Sequence, residues 1–393
     1  MRTIYVDNNA TTRVDPEVQR EMLPYFSEYY GNPSSMHHFG GQVMEAVNRA
    51  REKVAHLIGA DPSEILFTSC GTESDNTAIL AAIQSYPEKR HLVTTRVEHP
   101  AVLNLCKHLM KQGYRVTELP VNREGLLDLD QLRDAVTPYT AVVSVMFANN
   151  ETGVIFPVNE IAGIVKEKGS VFHCDAVQAA GKIPMDMSRN QIDLLSISGH
   201  KLHAPKGVGA LYIRRGTRFR PFLIGGHQEH GRRGGTENIP SIIGLGKACE
   251  LAGEHLIEEN TKVHALRDRL EKGLLEKVPR TWLNGHPALR LPNTTNLSFE
   301  YIEGEAILLL MSKEGIAASS GSACTSGSLE PSHVLRAMGV PFTGAHGSIR
   351  FSLSRFNTDE DIDVILEKVP AIIARLRELS PYWKRQEKSL RSI

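Results

Sequence analysis

The chain has 393 residues, 41% hydrophobic, 23% charged and 6% aromatic, enough apolar material for one large core or two smaller ones and, at about 150 residues each, for two to three domains. Its 45 Lys and Arg balance 45 Asp and Glu, leaving no electrostatic footprint for nucleic acid or an anionic membrane surface. The opening MRTIYVDNNATT is too polar for a signal peptide and no run reaches the ~18 apolar residues of a spanning helix, so a soluble, cytoplasmic protein with neither nucleic acid nor membrane as partner is expected.

Over the first 250 residues short, β-branched apolar runs alternate with amphipathic stretches, the pattern of βαβ units in an α/β fold with a mainly parallel sheet. Seven strands are predicted: Ile65 to Thr68, His91 to Thr95, Arg115 to Leu119, Ala141 to Ala148, Val171 to Asp175, Leu194 to Ile197 and Val208 to Arg214. Between them helices are predicted over Glu73 to Ser85, Pro100 to Lys111, Asp130 to Val136 and Asn159 to Lys168, with Gly113 and Gly169 as C-terminal stops. A long helical stretch follows from Ile239 to about Lys277. Beyond it strands at Asn296 to Phe299 and Ser348 to Leu353 alternate with helices at Gly304 to Lys313 and Thr358 to Leu379, a smaller α+β unit. The expected division is a large domain over 15–255 and a small one over 1–14 and 256–393. The modestly basic tail after Pro381 reads as a solvated end.

Five cysteines, at 70, 106, 174, 249 and 324, form no CxxC pair, so neither a disulfide framework nor structural zinc is expected. Taken alone, each reads as a small buried hydrophobe.

Polar and glycine clusters recur just past the predicted strands, where open α/β sheets build ligand sites. In TSCGTESDN (Thr68 to Asn76) a strand ends, Gly71 allows a tight turn and Thr72 can cap the next helix, whose free N–H groups suit a phosphate. In VFHCDAVQAAGK, Asp175 ends an apolar strand and Gln178 follows three residues later; a carboxylate there needs a cationic or N–H partner. In SISGHKLHAPKGVG, Ser198, His200 and Lys201 follow another strand. A phosphate cradle, a carboxylate and a lysine on neighbouring strand ends are what pyridoxal phosphate requires: a Schiff-base amine, an acid for the pyridinium nitrogen and a phosphate anchor. There is no GxGxxG and no GxxxxGK[ST], which weakens nucleotide readings. The fourth cluster, GIAASSGSACTSGSLEPSHVLRAMG, sets Cys324 among residues too small and polar for a core, which predicts a reactive thiol on an exposed loop that can travel.

With these motifs the sequence resembles the cysteine desulfurases, and among them the NifS type associated with nitrogen fixation, within the class-V aminotransferases of pyridoxal-phosphate fold type I. The resemblance covers nearly the whole chain, through YVDNNATT (5–12), YGNPSS (30–35), LFTSCGTESDN (66–76), VEHPAV (97–102), NNETG (149–153), DAVQ (175–178), GHKLHAPKGVG (199–209), GTEN (235–238), SSGSACTSGSLEPSHV (319–334) and SIRFSLSRF (348–356). Carried over by position, it implies that Lys201 holds the cofactor and moves the substrate α-proton. Asp175 would meet the ring nitrogen, Gln178 the ring hydroxyl, and His99 would stack on the ring. Gly71, Thr72, Ser198 and His200 would hold the phosphate, with Thr236 from the second subunit of a homodimer. Asn150 would serve both cofactor and substrate, Arg350 would hold the substrate carboxylate, and Cys324 would accept the sulfur. One departure is Gly71, where Ala is common in the family; a position that donates from its backbone tolerates it.

The implied reaction is transfer of the sulfur of L-cysteine to Cys324, leaving L-alanine, and delivery of that sulfur to an iron–sulfur scaffold protein (NifU-like or IscU-like), with a transient [2Fe-2S] cluster at Cys324 shared with the scaffold as a further possibility. The SLEPSH form of the Cys324 segment resembles the branch that delivers sulfur to scaffolds. Two alternatives stand beside it: a selenocysteine lyase or cysteine sulfinate desulfinase, and a non-catalytic iron–sulfur carrier with Cys70, Cys174 and Cys324 as ligands, against which the wide spacing and missing fourth cysteine count.

Overall fold

The computed structural model describes residues 2–320 and 331–383. Its main sheet has seven strands, β1 (Ile65–Thr68), β2 (His91–Thr95), β3 (Arg115–Leu119), β4 (Thr140–Ser144), β5 (Val171–Asp175), β6 (Leu194–Ser198) and β7 (Gly209–Ile213), in the order β1-β7-β6-β5-β4-β2-β3. The pairs from β6 to β3 are parallel, and β7 runs antiparallel to both β6 and β1. Every strand except the edge strand β3 is buried along its length. That is why the strands read as apolar runs rather than alternations.

Apolar side chains fill both faces of this sheet. On one, Phe172, Cys174 and Leu195 pack with helix α1 (His38–Ile58) and with Leu245 of the helix Ile239–Glu254. On the other, Val142 and Leu92 meet Ala78 of α2 (Gly71–Ser85) and Leu105 of α3 (Pro100–Lys111). A separate core gathers Ile4 and Val6 with Leu270, Phe299, Ile307, Phe351 and Ile365. It lies on an antiparallel sheet of Thr281–Leu283, Thr294–Phe299, Ser348–Ser352 and Ser319–Ser320.

Pro100 opens α3, and Gly113 and Gly169 take positive φ of 82° and 67° where helices were expected to stop. Four local readings differ. Helix α2 starts at Gly71, and its N-cap is Cys70, whose Sγ accepts the Glu73 N–H at 3.4 Å. Thr72 therefore lies inside the first turn instead of capping it, because the extended Cys70 backbone already places the sulfur over the free N–H groups. The regular strand expected to reach Ala148 stops at Ser144, although Val145 and Phe147 still donate to the carbonyls of His173 and Asp175. The stretch from Ile239 to Lys277 is broken after Glu254, with a π-helical segment at Glu259–Val263. There Asn260 and Thr261 donate side-chain hydrogen bonds to the carbonyls of Leu256 and Ile257, at 2.8 and 2.7 Å, in competition with the backbone ladder. Finally α1, absent from the sequence reading, buries Val43, Ala46, Val47, Ala50 and Val54.

Candidate active site

The strand ends carry the chemistry. His173 and Asp175 stand two apart on β5, so their side chains share the face covered by α2. Asp175 is buried, and its Oδ1 accepts the Val177 N–H at 2.9 Å. Burial pushes its carboxyl up to about 7, and the carboxylate of Asp75 adds to the rise. Asp75 comes from the second turn of α2; its Oδ1 lies 3.5 Å from Nε2 of His173, and burial raises it to about 7 as well. The His173 ring is held at both nitrogens, Nδ1 by Ser144 Oγ and Nε2 by Ser196 Oγ, each at 2.9 Å. Burial pushes the ring down to about 4. At neutral pH the imidazole is therefore uncharged, and Asp75 holds a proton more readily than an exposed carboxyl would.

Lys201 closes the turn after β6. Its Nζ donates to the carbonyls of Asn9 and, at 2.8 Å, Ala10. Burial first, then the charges of Arg350 and Lys182, push its ammonium down to about 7. His200 Nδ1 meets Thr11 Oγ1 at 3.2 Å, and burial with the nearby Lys201 charge brings the ring to about 4. The Gln178 amide donates to the Asn9 carbonyl at 3.0 Å. His99 caps α3 through an Nδ1 that accepts the Ala101 N–H at 3.2 Å, and its ring stays exposed at the mouth of the site. Desolvation by its surroundings and the Lys201 charge hold it neutral, down to about 4. Arg350, on the second sheet, donates to Asp7 Oδ1 at 2.8 Å and to the Asn150 carbonyl at 2.9 Å.

Gly71 belongs to the same wall. A Cβ there would lie 2.9 Å from Val177 Cγ2 and 3.3 Å from Ser198 Cβ, so the absence of a side chain is what lets the first turn of α2 approach Val177 and Ser198. Four buried polar atoms of the site have no hydrogen-bond partner: Asp75 Oδ1, Gln178 Oε1, Ser198 Oγ and Arg350 Nε. Leaving such an atom unpaired costs about 1–3 kcal/mol.

Lys201, Asp175, Gln178, Ser198, His200, His99, Asn150, Arg350 and Gly71 thus converge, with Thr72 exposed on the same first turn. Thr236 does not: it is exposed and lines a different groove with Phe67, Ser69 and Arg233. Cys324, both as sulfur acceptor and as a cluster ligand, lies outside the described residues. The other four cysteines are free thiols. Cys106, Cys174 and Cys249 are buried, with burial raising each thiol, while Cys70 caps α2. Among the described residues no three His, Cys, Asp or Glu gather to hold a metal. The sequence reading assigned nothing to Asp7, Asn9, Asp75 or His173. The two-residue spacing of His173 and Asp175 was the available signal for the last of these.

The class-V aminotransferase family model matches residues 4–365. A cysteine desulfurase of Trichormus azollae is 64% identical over 382 residues, 97% of this chain and 96% of that protein. The cysteine desulfurase NifS of Azotobacter vinelandii is 61% identical over 384 residues, 98% and 96% of the two chains. A solved NifS-like protein superposes with a TM-score of 0.90 at 42% identity, over 95% of this chain and all of that one. It shares the α/β architecture with a mainly parallel seven-stranded sheet of fold type I. The chain therefore belongs to the class-V aminotransferase family and, within it, to the cysteine desulfurases.

Proposed function

We propose that the protein is a pyridoxal-phosphate-dependent cysteine desulfurase that converts L-cysteine to L-alanine and leaves the sulfur as a persulfide on Cys324. The observation that carries this reading is the meeting of Lys201, with its ammonium brought to about 7, and the buried Asp175 at adjacent strand ends. The residues present fit the cofactor: an amine able to lose its proton, a deep carboxylate, and the unpartnered Gln178 Oε1 and Ser198 Oγ. Lys201 would hold it covalently, Asp175 at the ring nitrogen, Gln178 at the ring hydroxyl and His99 against the ring. The phosphate would fall to Gly71, Thr72, Ser198 and His200. When bound, it supplies an electron-withdrawing ring that stabilises negative charge at the substrate carbons.

The chain's own groups divide the remaining work. Arg350 has an unpartnered Nε and a planar fork suited to a carboxylate, and Asn150 is tied to it through its carbonyl. Lys201, partly unprotonated at neutral pH, can take a proton from the substrate α-carbon and return it. His99, uncharged, can accept or pass a proton without repelling Lys201. The Cys324 thiolate attacks the substrate sulfur: a S–S bond forms, the Cβ–S bond breaks with its electron pair left on carbon, and protonation there gives alanine. Cysteine and enzyme thiol in, alanine and enzyme persulfide out, the step balances without an added oxidant.

Further parts of this reading are a homodimer in which Thr236 completes the neighbouring subunit's phosphate site, cytoplasmic localisation, and transfer of the persulfide sulfur to a NifU-like or IscU-like scaffold for nitrogenase maturation. The exposure of Thr236 away from its own site, with Ile224 of the same segment 92% exposed, supports the first. Among the described residues no helix is long and apolar enough to cross a membrane. The separate core that joins Ile4 and Val6 to residues beyond 262 supports a small domain built from 1–14 and 256–393. The test is incubation of the purified protein with L-cysteine and a reducing thiol. Equal amounts of alanine and sulfide are expected, and none from Lys201→Ala; no alanine from the unaltered protein contradicts the reading.

A further inference from the structure

Ser332 and His333, eight and nine residues after Cys324 in sequence, both bond to the active-site walls. Ser332 is 2% exposed. Its hydroxyl accepts the N–H groups of Val334 and Leu335 at 3.0 and 3.3 Å, which any N-cap does, but it also donates to Glu151 Oε2 at 2.5 Å. His333 places Nε2 2.9 Å from the carbonyl of Glu98. Glu151 directly follows Asn150, and Glu98 directly precedes His99. Two consecutive residues are thus fastened to the immediate chain neighbours of two site residues. On the other side of the same stretch, Ser319 stands opposite Arg350 in the antiparallel ladder and Ser320 opposite Ile349. In sequence, Cys324 comes four residues after Ser320 and eight before Ser332.

Glu151 is itself an unusual partner. It is buried, which raises its carboxyl, and Ser332, His333 and Arg350 are the groups that oppose the rise. A buried carboxylate is costly unless hydrogen-bonded, and the Ser332 hydroxyl supplies that bond from the Cys324-bearing stretch rather than from the site's own wall.

We propose that Ser332 and His333 are positioning residues for sulfur transfer, a two-point latch that fixes the stretch after Cys324 to the segments bearing Asn150 and His99. The proposal rests on the desulfurase reading and deepens it. The latch makes no hydrogen bond to Lys201, Asp175 or the Arg350 guanidinium, and Glu151 meets Arg350 through charge alone, so its loss leaves cofactor and substrate held while the thiol is misplaced. A misplacement of about 1 Å can cost ~100-fold in rate.

The experiment uses the loaded, full-length enzyme and separates engagement of L-cysteine, followed by the cofactor absorbance change on mixing, from alanine formation. Ser332→Ala and His333→Leu remove one contact each, the second without touching the N-cap, and Ser332→Thr retains the hydroxyl. Expected are a fall in kcat of about 10- to 100-fold for the first two variants, cofactor content and half-saturation of the absorbance change within about twofold of the unaltered enzyme, and near-normal kcat for Ser332→Thr. Unchanged kcat in Ser332→Ala and His333→Leu, or a fall that follows lost cofactor or weakened cysteine engagement, overturns the latch alone. No alanine from the unaltered enzyme overturns the desulfurase reading and the latch with it.

Discussion

Oδ1 of Asp75 lies 3.5 Å from Nε2 of His173, behind Asp175 on the same face of the sheet. Three ionisable groups are buried together there, and burial disfavours the charged form of each. The imidazole is neutral, while burial raises the carboxyls of Asp75 and Asp175 alike to about 7. Glu98, also buried, is raised well above the usual range by its desolvation.

Asp75 therefore makes stability depend on pH in a definite direction. Its carboxyl ionises near 4 when unfolded and near 7 in the fold. Its stabilising share is complete below about 4 and is lost as pH rises through 7, since the folded state keeps a proton the unfolded state gives up. Asp75→Asn, a neutral isostere, should match the parent near pH 3 and exceed it by a few kcal/mol at pH 8. Thermal unfolding of the cofactor-free protein across this range is the measurement. A difference that does not grow with pH contradicts the assignment.

The amine of Lys201 must be unprotonated to capture an aldehyde, and its surroundings bring it to about 7. Addition of pyridoxal phosphate to the cofactor-free protein, followed by absorbance at several pH values, should give a rate that rises through pH 7 and levels above 8. A rate still climbing at pH 9 would mark an ordinary lysine.

Arg350 uses its planar fork on Asp7 and the Asn150 carbonyl while Nε stays unpartnered. Arg350→Lys keeps the charge but cannot reproduce the fork. The expected result is a loss of about 2–3 kcal/mol in kcat/KM for L-cysteine, roughly 30- to 150-fold, carried mainly by KM. An unchanged KM would place the substrate carboxylate elsewhere.

The buried strands were legible because a strand buried on both faces reads as a mainly apolar run, and β1, β2 and β5 match residue for residue, as does the half-buried edge strand β3. Lys201, Asp175 and Gln178 were legible for the complementary reason: polar residues at the ends of such runs are costly without a purpose. The cap of α2 was misread because Thr is the commoner cap, whereas Cys70 holds the extended backbone that a cap needs. Asp7 and Asn9 could not be given roles, because their partners Arg350 and Lys201 lie 343 and 192 residues away and only folding brings them together. The Ser332–Glu151 contact, across 181 residues, was hidden for the same reason.

The central claim is that Lys201 and Cys324 act in sequence, the first on the substrate's α-proton and the second on its sulfur. Its most direct test is Cys324→Ala in the loaded enzyme, given L-cysteine. The account predicts an intact cofactor spectrum and a normal absorbance change on mixing, with no alanine or sulfide formed, and in the unaltered enzyme a mass gain of one sulfur atom on the peptide containing Cys324. Alanine formation by Cys324→Ala at the unaltered rate would contradict it.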